Sequence, residues 1–306
     1  MQALLAAIAA MDRPAHACRI FHGRGGRFPG EERWVLDAWP PVLLLTSFGP
    51  ASEEELAAVG EALAARWAVV APGEALHWVW QQRDEVRAHN RVMAGAVPDP
   101  HVVEEDGARY EVHLPRGLNH GLFLDMAAGR RWVREWARAH PGGRVLNLFA
   151  YTCAFSVAAL QGGASEVVNL DMAPGALATG RRNHALNGLE KRAQFWAHDL
   201  FNSWGKVNRH GPWDLVVMDP PSYQKGSFVA TKDYARLVRR LPELLVPGGH
   251  ALLCLNTPKL GEDFLRGLVA QEAPGCTVLE RLPNPPVFED VDPQRALKVL
   301  VVRREG

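Results

Sequence analysis

The sequence predicts an α/β protein: a largely parallel sheet with helices on both faces, preceded by a smaller α+β domain. Three observations predict it. From Arg144 onward, short apolar runs alternate with helical segments, and parallel strands joined through helices require right-handed crossovers. Each of these runs ends in polar or small residues. The first 95 residues lack that rhythm, and a Gly-, Pro- and Asp-bearing stretch at 95–107 reads as a boundary loop. The predicted division is therefore 1–95, an N-terminal domain suited to substrate recognition, and 96–306, the domain carrying the chemistry. A chain of 306 residues accommodates both.

In the first part, residues 1–10 are apolar and Ala-rich without a basic flank, which fits a packed helix rather than a signal peptide. Val42–Thr46 reads as a buried strand. Ser52 followed by Glu53, Glu54 and Glu55 opens a helix to about Arg66, with a capping residue and an acidic first turn. Leu76–Gln81 and Tyr110–Leu114 read as strands. In the second part, strands are expected at 144–149, 166–171, 193–198, 213–219 and 250–255. Helices are expected from the first strand's loop to about Leu160, over Ala173–Asn187 and over Lys232–Leu245. Apolar segments near 276–282 and 297–302 complete the sheet, one of them antiparallel.

Composition narrows the function. The 34 basic residues balance 34 acidic ones, so the net charge gives no support for a strong nucleic-acid footprint and does not exclude one, because a neutral total can hide a basic face. Cys18, Cys153, Cys254 and Cys276 form no CxxC pair or other metal-ligand spacing. They read as reduced, buried thiols of a cytoplasmic protein without a metal. No apolar run approaches the roughly 20 residues of a membrane span.

In an open α/β sheet, ligands bind beyond the carboxyl ends of the strands. There the chain carries Asn147, Phe149, Ala150, Tyr151 and Thr152 after the first strand. Asp171 and Met172 follow at the second, Asp199 and Leu200 at the third, Asp219-Pro220-Pro221-Ser222-Tyr223 at the fourth and Asn256 at the fifth. An acid ending the second strand suits a ribose diol, and Asp199 suits an adenine amino group. Asp219 and Pro220 present a carboxylate and a carbonyl on a stiff loop, since proline has no N–H for a ladder. The Tyr223 ring suits stacking of a planar substrate. A lone aspartate here would be a helix cap and a lone Asp-Pro-Pro a turn; the joint arrangement favours a nucleoside-type cofactor. Spacing leaves a dinucleotide and S-adenosylmethionine both open, though no GxGxxG is present.

Five segments resemble class I methyltransferases, and more closely the bacterial 23S ribosomal RNA large-subunit methyltransferase group with cytosine-C5 and guanine-N7 members. They are Gly121-Leu122-Phe123-Leu124-Asp125, Asn147 to Ser156, Asn183-x-x-x-Asn187, Asp219 to Tyr223 and Arg295-Ala296-Leu297-Lys298, spread over about residues 80–303. The resemblance implies a Rossmann-like sheet and S-adenosylmethionine as cofactor. It implies cofactor contacts from Phe123, Asp125, the loop after Asn147, Asp171 and Asp199, with Asp219 and its successors facing the substrate. It also implies an RNA partner, 23S ribosomal RNA or the large subunit. Two departures stand out. Tyr151, Cys153 and Ser156 occupy places where many class I enzymes carry glycine, and Met126-Ala127 replaces polar residues usual after Leu124-Asp125.

Cytosine-C5 members use a cysteine nucleophile at the end of the fifth strand. Here Asn256 stands at that position, and Cys254 lies two residues earlier, on the same face of a regular strand. Burial in an apolar strand would make its thiol inert. Direct transfer to a base nitrogen is therefore favoured over carbon, with Asp219 and Asn256 holding the base edge and Tyr223 stacking. Protein or small-molecule methylation, and a non-catalytic cofactor-binding assembly factor, are the alternatives. In the N-terminal part, His22-Gly23-Arg24-Gly25-Gly26-Arg27 reads either as a phosphate contact or as a surface turn. Trp34, Trp39, Trp67, Trp78 and Trp80 read as stacking surfaces or, better, as core.

Overall fold

The computed structural model describes residues 1–84, 87–221, 223–224 and 228–306, with backbone alone for Tyr223 and Gln224. The chain forms two compact units, Met1–Leu124 with Pro285–Asp292, and Asp125–Asn284 with Pro293–Gly306.

In the first unit, α1 (Gln2–Ala10) precedes β1 (Cys18–His22), β2 (Trp34–Trp39), β3 (Val42–Phe48), α2 (Glu53–Val70), β4 (His77–Arg83) and β5 (Ala88–Ala94). The five strands form one sheet in chain order. β3 and β4 are parallel neighbours joined through α2, and the other pairs are antiparallel. The capping box legible at Ser52 forms: Glu55 N donates to Ser52 Oγ at 3.1 Å, and Ser52 N donates to Glu55 Oε2 at 2.9 Å. Alternate residues Trp34 and Leu36, Leu43 and Leu45, and Trp78 and Trp80 pack against Leu4 and Ile8 of α1 and Leu56, Val59, Leu63 and Trp67 of α2. None of the five tryptophans is more than 6% exposed, so they are core and offer no stacking surface.

The segment 95–107 is more ordered than a boundary loop. β6 (His101–Glu105) and β7 (Ala108–Val112) form a hairpin over Asp106 and Gly107, whose φ values of 50° and 75° suit the tight turn that Asp-Gly pairs favour. The apolar pattern of β6 does not declare a strand, since His101 and Glu105 are buried and Val102 is exposed; the Asp106-Gly107 pair is the local signal for the hairpin.

The second unit holds α3 (Ala127–Ala139), β8 (Arg144–Leu148), α4 (Ala154–Gly162), β9 (Glu166–Asp171), α5 (Pro174–Leu186), β10 (Ala193–Ala197), α6 (Trp204–His210) and β11 (Trp213–Met218). After these come the two-residue strands β12 (Tyr223–Gln224) and β13 (Phe228–Val229). Then follow α7 (Ala230–Val238), α8 (Leu241–Leu244), β14 (Leu245–Leu255), α9 (Glu262–Glu272), β15 (Cys276–Arg281) and β16 (Lys298–Arg304). The seven-stranded sheet runs β10-β9-β8-β11-β14-β16-β15. β16 is the antiparallel member, opposed to both neighbours, as expected. The single helix expected over 232–245 is two, because Pro242 sits in the first turn of a new helix, α8, and could not continue the old one.

One face of this sheet, with Leu146, Leu148, Val168, Leu170, Val216 and Leu253, packs against Val207 of α6, Leu237 and Val238 of α7, and Leu265 and Val269 of α9. The other face meets α4 and α5: Ser156 of α4 accepts from Asn169 of β9 and in turn bonds His184 of α5. Strand order reverses between β8 and β11. Leu148 pairs with both Leu170 and Met218, and Met218 with Leu253. The following residues, Phe149, Asp171, Asp219 and Cys254, therefore stand on one line across the carboxyl edge of the sheet.

Candidate active site

The loop after β8 contains no glycine, yet Phe149, Tyr151 and Cys153 have φ values of 56°, 47° and 64°. This is the left-handed region that glycine occupies freely and that costs other residues roughly 1–2 kcal/mol each. Neighbours offset that strain. Ala150 N donates to Leu170 O at 3.1 Å and Cys153 N to Ala150 O at 2.7 Å. Tyr151 N donates to Asp171 Oδ2 at 2.8 Å, and Asn183 Nδ2, on α5, donates to Thr152 O at 3.0 Å. Cys153 is fully buried against Gly180 of α5, where a Cβ would fall on its sulfur. Of the substituted positions, Tyr151 and Cys153 thus keep glycine-like backbone, held from behind by α5, whereas Ser156 lies within α4 in ordinary helical backbone.

A one-way chain of hydrogen bonds lies under this loop. Asn147 Nδ2 donates to Asn169 Oδ1 at 2.9 Å, and Asn169 Nδ2 donates to Ser156 Oγ at 3.0 Å. Ser156 Oγ lies 2.8 Å from His184 Nε2, and His184 Nδ1 lies 2.7 Å from Gly180 O. The Gly180 carbonyl can only accept, so Nδ1 carries the proton and Nε2 accepts from the serine. Burial pushes the His184 pKa down and keeps the ring neutral, as this chain requires. At the head of the chain, Asn147 Oδ1 is buried with no partner among the described residues. An acceptor in that position costs about 1–3 kcal/mol until a donor reaches it.

Asp171 uses both oxygens as a clamp: Oδ2 takes Tyr151 N and Oδ1 takes Ala173 N at 2.8 Å. Each oxygen keeps a further lone pair, which suits a ribose diol. Met172 beside it is exposed. Asp199 is a local cap, accepting from Phe201 N at 2.9 Å and from Asn202 Nδ2 at 2.6 Å. The Leu200 side chain lies in the core, which leaves only its backbone for a ligand.

Asp219 is partly exposed, but its carboxyl is pushed up to about 7 by burial and by the charge of Asp125, against the opposing pull of the buried Arg130. Near neutral pH such a group both donates and accepts hydrogen bonds. Pro220 is buried behind it. Tyr223 pairs with Val229 in β12–β13, while its ring, like Ser222, lies outside the described residues. β14 ends at Leu255, so the strand alternation does not extend to Asn256: Asn256 is exposed and Cys254 is fully buried. Burial, then Asp219 and Asp125, push the Cys254 thiol well above its ordinary value. Lys298 is fully buried, and its Nζ donates to Thr257 O at 2.6 Å and Gln294 O at 2.9 Å. It pins the turn that carries Asn256. Phe123 is exposed and belongs to the first unit, while Asp125 begins the second.

The structure thus gathers Asn147, Phe149–Thr152, Asp171, Asp125 and Asp219 around the switch point. Sequence reasoning missed Gly180, His184 and Arg130 as supports, and named Ser156 only as a residue standing where glycine is usual. Asn183 and Lys298 stood only in motif segments, without roles. The set of groups fits S-adenosylmethionine: a clamped carboxylate suits a diol, a buried acceptor lacks a donor among the described residues, and the neighbouring carboxyls of Asp125 and Asp219 suit a cationic group.

Known proteins point the same way. The ribosomal RNA large subunit methyltransferase K/L of Psychrobacter sp. is 40% identical over 60% of this chain and 23% of its own length. Ribosomal RNA large subunit methyltransferase I of Aeromonas salmonicida is 32% identical over 63% of this chain and 50% of its own. The chain therefore spans half or less of these two relatives. Among solved structures, a candidate methyltransferase complexed with SAH superposes with a TM-score of 0.82 at 24% identity, covering 99% of this chain and 81% of that one. The tRNA m1G37 methyltransferase of M. jannaschii shares the fold at a TM-score of 0.61 and 16% identity, over 88% of this chain and 72% of that one. Residues 18–303 match the S-adenosylmethionine-dependent methyltransferase model, and the chain belongs to that family.

Proposed function

We propose that this protein methylates a base nitrogen in ribosomal RNA of the large subunit, in the cytoplasm, with S-adenosylmethionine as methyl donor. The observation that carries the nitrogen assignment is the pair at the end of β14: Cys254 is fully buried with a raised pKa, and exposed Asn256 stands beyond it. No thiolate is presented there for addition to a pyrimidine ring. S-adenosylmethionine supplies an activated methyl group on a sulfonium. Asp171 and the β8–α4 loop would hold the cofactor, with Asn147 Oδ1 available to accept from one of its donors. Asp219, poised near pH 7, and Asn256 orient a base edge; neither has to remove a proton before transfer. The relatives named for large-subunit RNA favour the RNA partner. We assign substrate recognition to the N-terminal domain.

The test is methylation of unmodified 23S ribosomal RNA by the purified protein with isotope-labelled cofactor, followed by nucleoside mass spectrometry. A label on a base nitrogen, retained in Cys254→Ala and lost in Asp219→Ala, is expected. A 5-methylcytosine product that disappears with Cys254→Ala would refute the nitrogen assignment, and labelling of no RNA would refute the substrate.

A further inference from the structure

The glycine- and arginine-rich segment that follows β1 has a use beyond a surface turn. His22 ends β1, and Gly23–Gly25 make a single 3-10 turn. Gly23 and Gly25 are buried, and a Cβ on either would collide with the carbonyl of Glu31 or of Glu289. Arg24, between them, is exposed. Its guanidinium carbon sits 3.8 Å from the ring centroid of Phe48, and that of Arg83 sits 5.8 Å from the same ring. Phe48 and Arg83 are register partners at the ends of β3 and β4, so the sheet itself sets this grouping.

Among the described residues, the charges around the ring do not balance. Arg13, Arg27, Arg33 and Arg91 of the same unit each pair with a carboxylate: Glu74, Glu289, Glu55 and Glu53. Arg24 and Arg83 form no ion pair with any described residue. Arg83 is held by neutral acceptors, Leu118 O at 3.1 Å and Asn119 Oδ1 at 3.3 Å, which aim it without neutralising it. Arg19 lies near enough to add to the local field, although Asp37 pairs with it at 2.8 Å. His22 reports that field: burial, Arg19 and Arg24 push its pKa down to about 4. Like charges gathered on one aromatic ring repel, and the ring's quadrupole offsets only part of that. An anion between them removes the repulsion, and arginine forks match phosphate oxygens in geometry.

We propose that Arg24 and Arg83, presented on the ring of Phe48, form a phosphate-binding site in the first unit that grips the sugar-phosphate backbone of RNA. The choice of RNA rests on the proposed function; the site itself rests on two arginines grouped on one ring with no ion pair among the described residues. It gives affinity and position rather than sequence choice.

The test measures binding of a fluorescein-labelled, mixed-sequence single-stranded RNA by anisotropy across a salt series, without cofactor, for the full chain and for Arg24→Ala, Arg83→Ala and the double variant. Thermal unfolding checks the fold, and Arg24→Ala, at an exposed position, keeps the measurement interpretable if Arg83→Ala does not fold. Each lost contact is expected to lower the slope of log affinity against log salt by about 0.7, with weaker binding at every salt concentration. Unchanged affinity and slope in folded Arg24→Ala would overturn the site. Competition by millimolar inorganic phosphate that depends on Arg24, with no Arg24-dependent RNA binding, would overturn the RNA assignment in favour of a small phosphate ligand. Because binding is read without methyl transfer, failure here and failure of the methylation assay are separate results.

Discussion

Replacing Gly180 by alanine tests whether α5 holds the strained β8–α4 loop in place. In the interior of a solvated helix this change is favourable by roughly 0.5–1 kcal/mol, because glycine loses more backbone entropy on folding. Here the added methyl meets the Cys153 sulfur well inside van der Waals contact, with the Cys153 Cβ at 3.1 Å and the Thr152 carbonyl carbon at 3.4 Å behind it. Swinging the sulfur away is costly, since Cys153 is fully buried and its Sγ donates to Tyr151 O at 3.7 Å. Overpacking costs about 1–3 kcal/mol, and an overlap this close to a buried sulfur belongs in the upper half of that range, so after the helix gain the net expectation is a loss of about 1–2 kcal/mol. Cys153→Ala removes the sulfur and leaves only the milder Cβ contact. In that background Gly180→Ala should cost close to nothing, a coupling of about 1–2 kcal/mol, within the range for touching residues. Urea unfolding of the four proteins measures the cycle. Calorimetric titration with S-adenosylmethionine, expected to weaken in Gly180→Ala and recover in the double variant, ties it to the site. A Gly180→Ala protein as stable as the parent, or an equal cost with and without the sulfur, would refute the reasoning.

Asp219 predicts a pH signature. Its folded pKa of about 7 lies above the unfolded value of about 3.9. The unfolded chain therefore releases this proton first as pH rises, and stability falls between about pH 4 and pH 7 and is level above. Asp219→Asn should be more stable than the parent at pH 8 by on the order of 1 kcal/mol per unit of that interval. The gain should shrink towards pH 4, as read by paired urea titrations; an equal gain at both pH values would contradict it. Asn183→Ala leaves the buried Thr152 carbonyl without its α5 donor, at an expected cost of about 1–3 kcal/mol and with weaker cofactor binding in calorimetry. A neutral effect on both would mean that the loop holds itself.

The central strands β8, β9, β11 and β14 were legible in the sequence because strands covered on both faces need unbroken apolar runs. Ser52 declared its helix because capping is settled within four residues. Asp171 and Asp219 could be located because an acid after such a strand has only one place to go, the carboxyl edge. β2 escaped notice: all six of its residues are buried, and Asp37 is tolerated inside only through Arg19, on another strand. What tertiary structure alone decided are relations between residues far apart in the chain. Gly180 and Asn183 support a loop about 30 residues upstream, and Asp219 owes its raised pKa partly to Asp125. Cys254 and Asn256 part company because the strand stops between them. Arg24, Phe48 and Arg83 meet only because β1, β3 and β4 lie in one sheet. Periodicity, capping and strand punctuation are local energies that a sequence carries in its order. Packing, desolvation and Coulomb interaction act through space, and the chain must fold before they choose their partners.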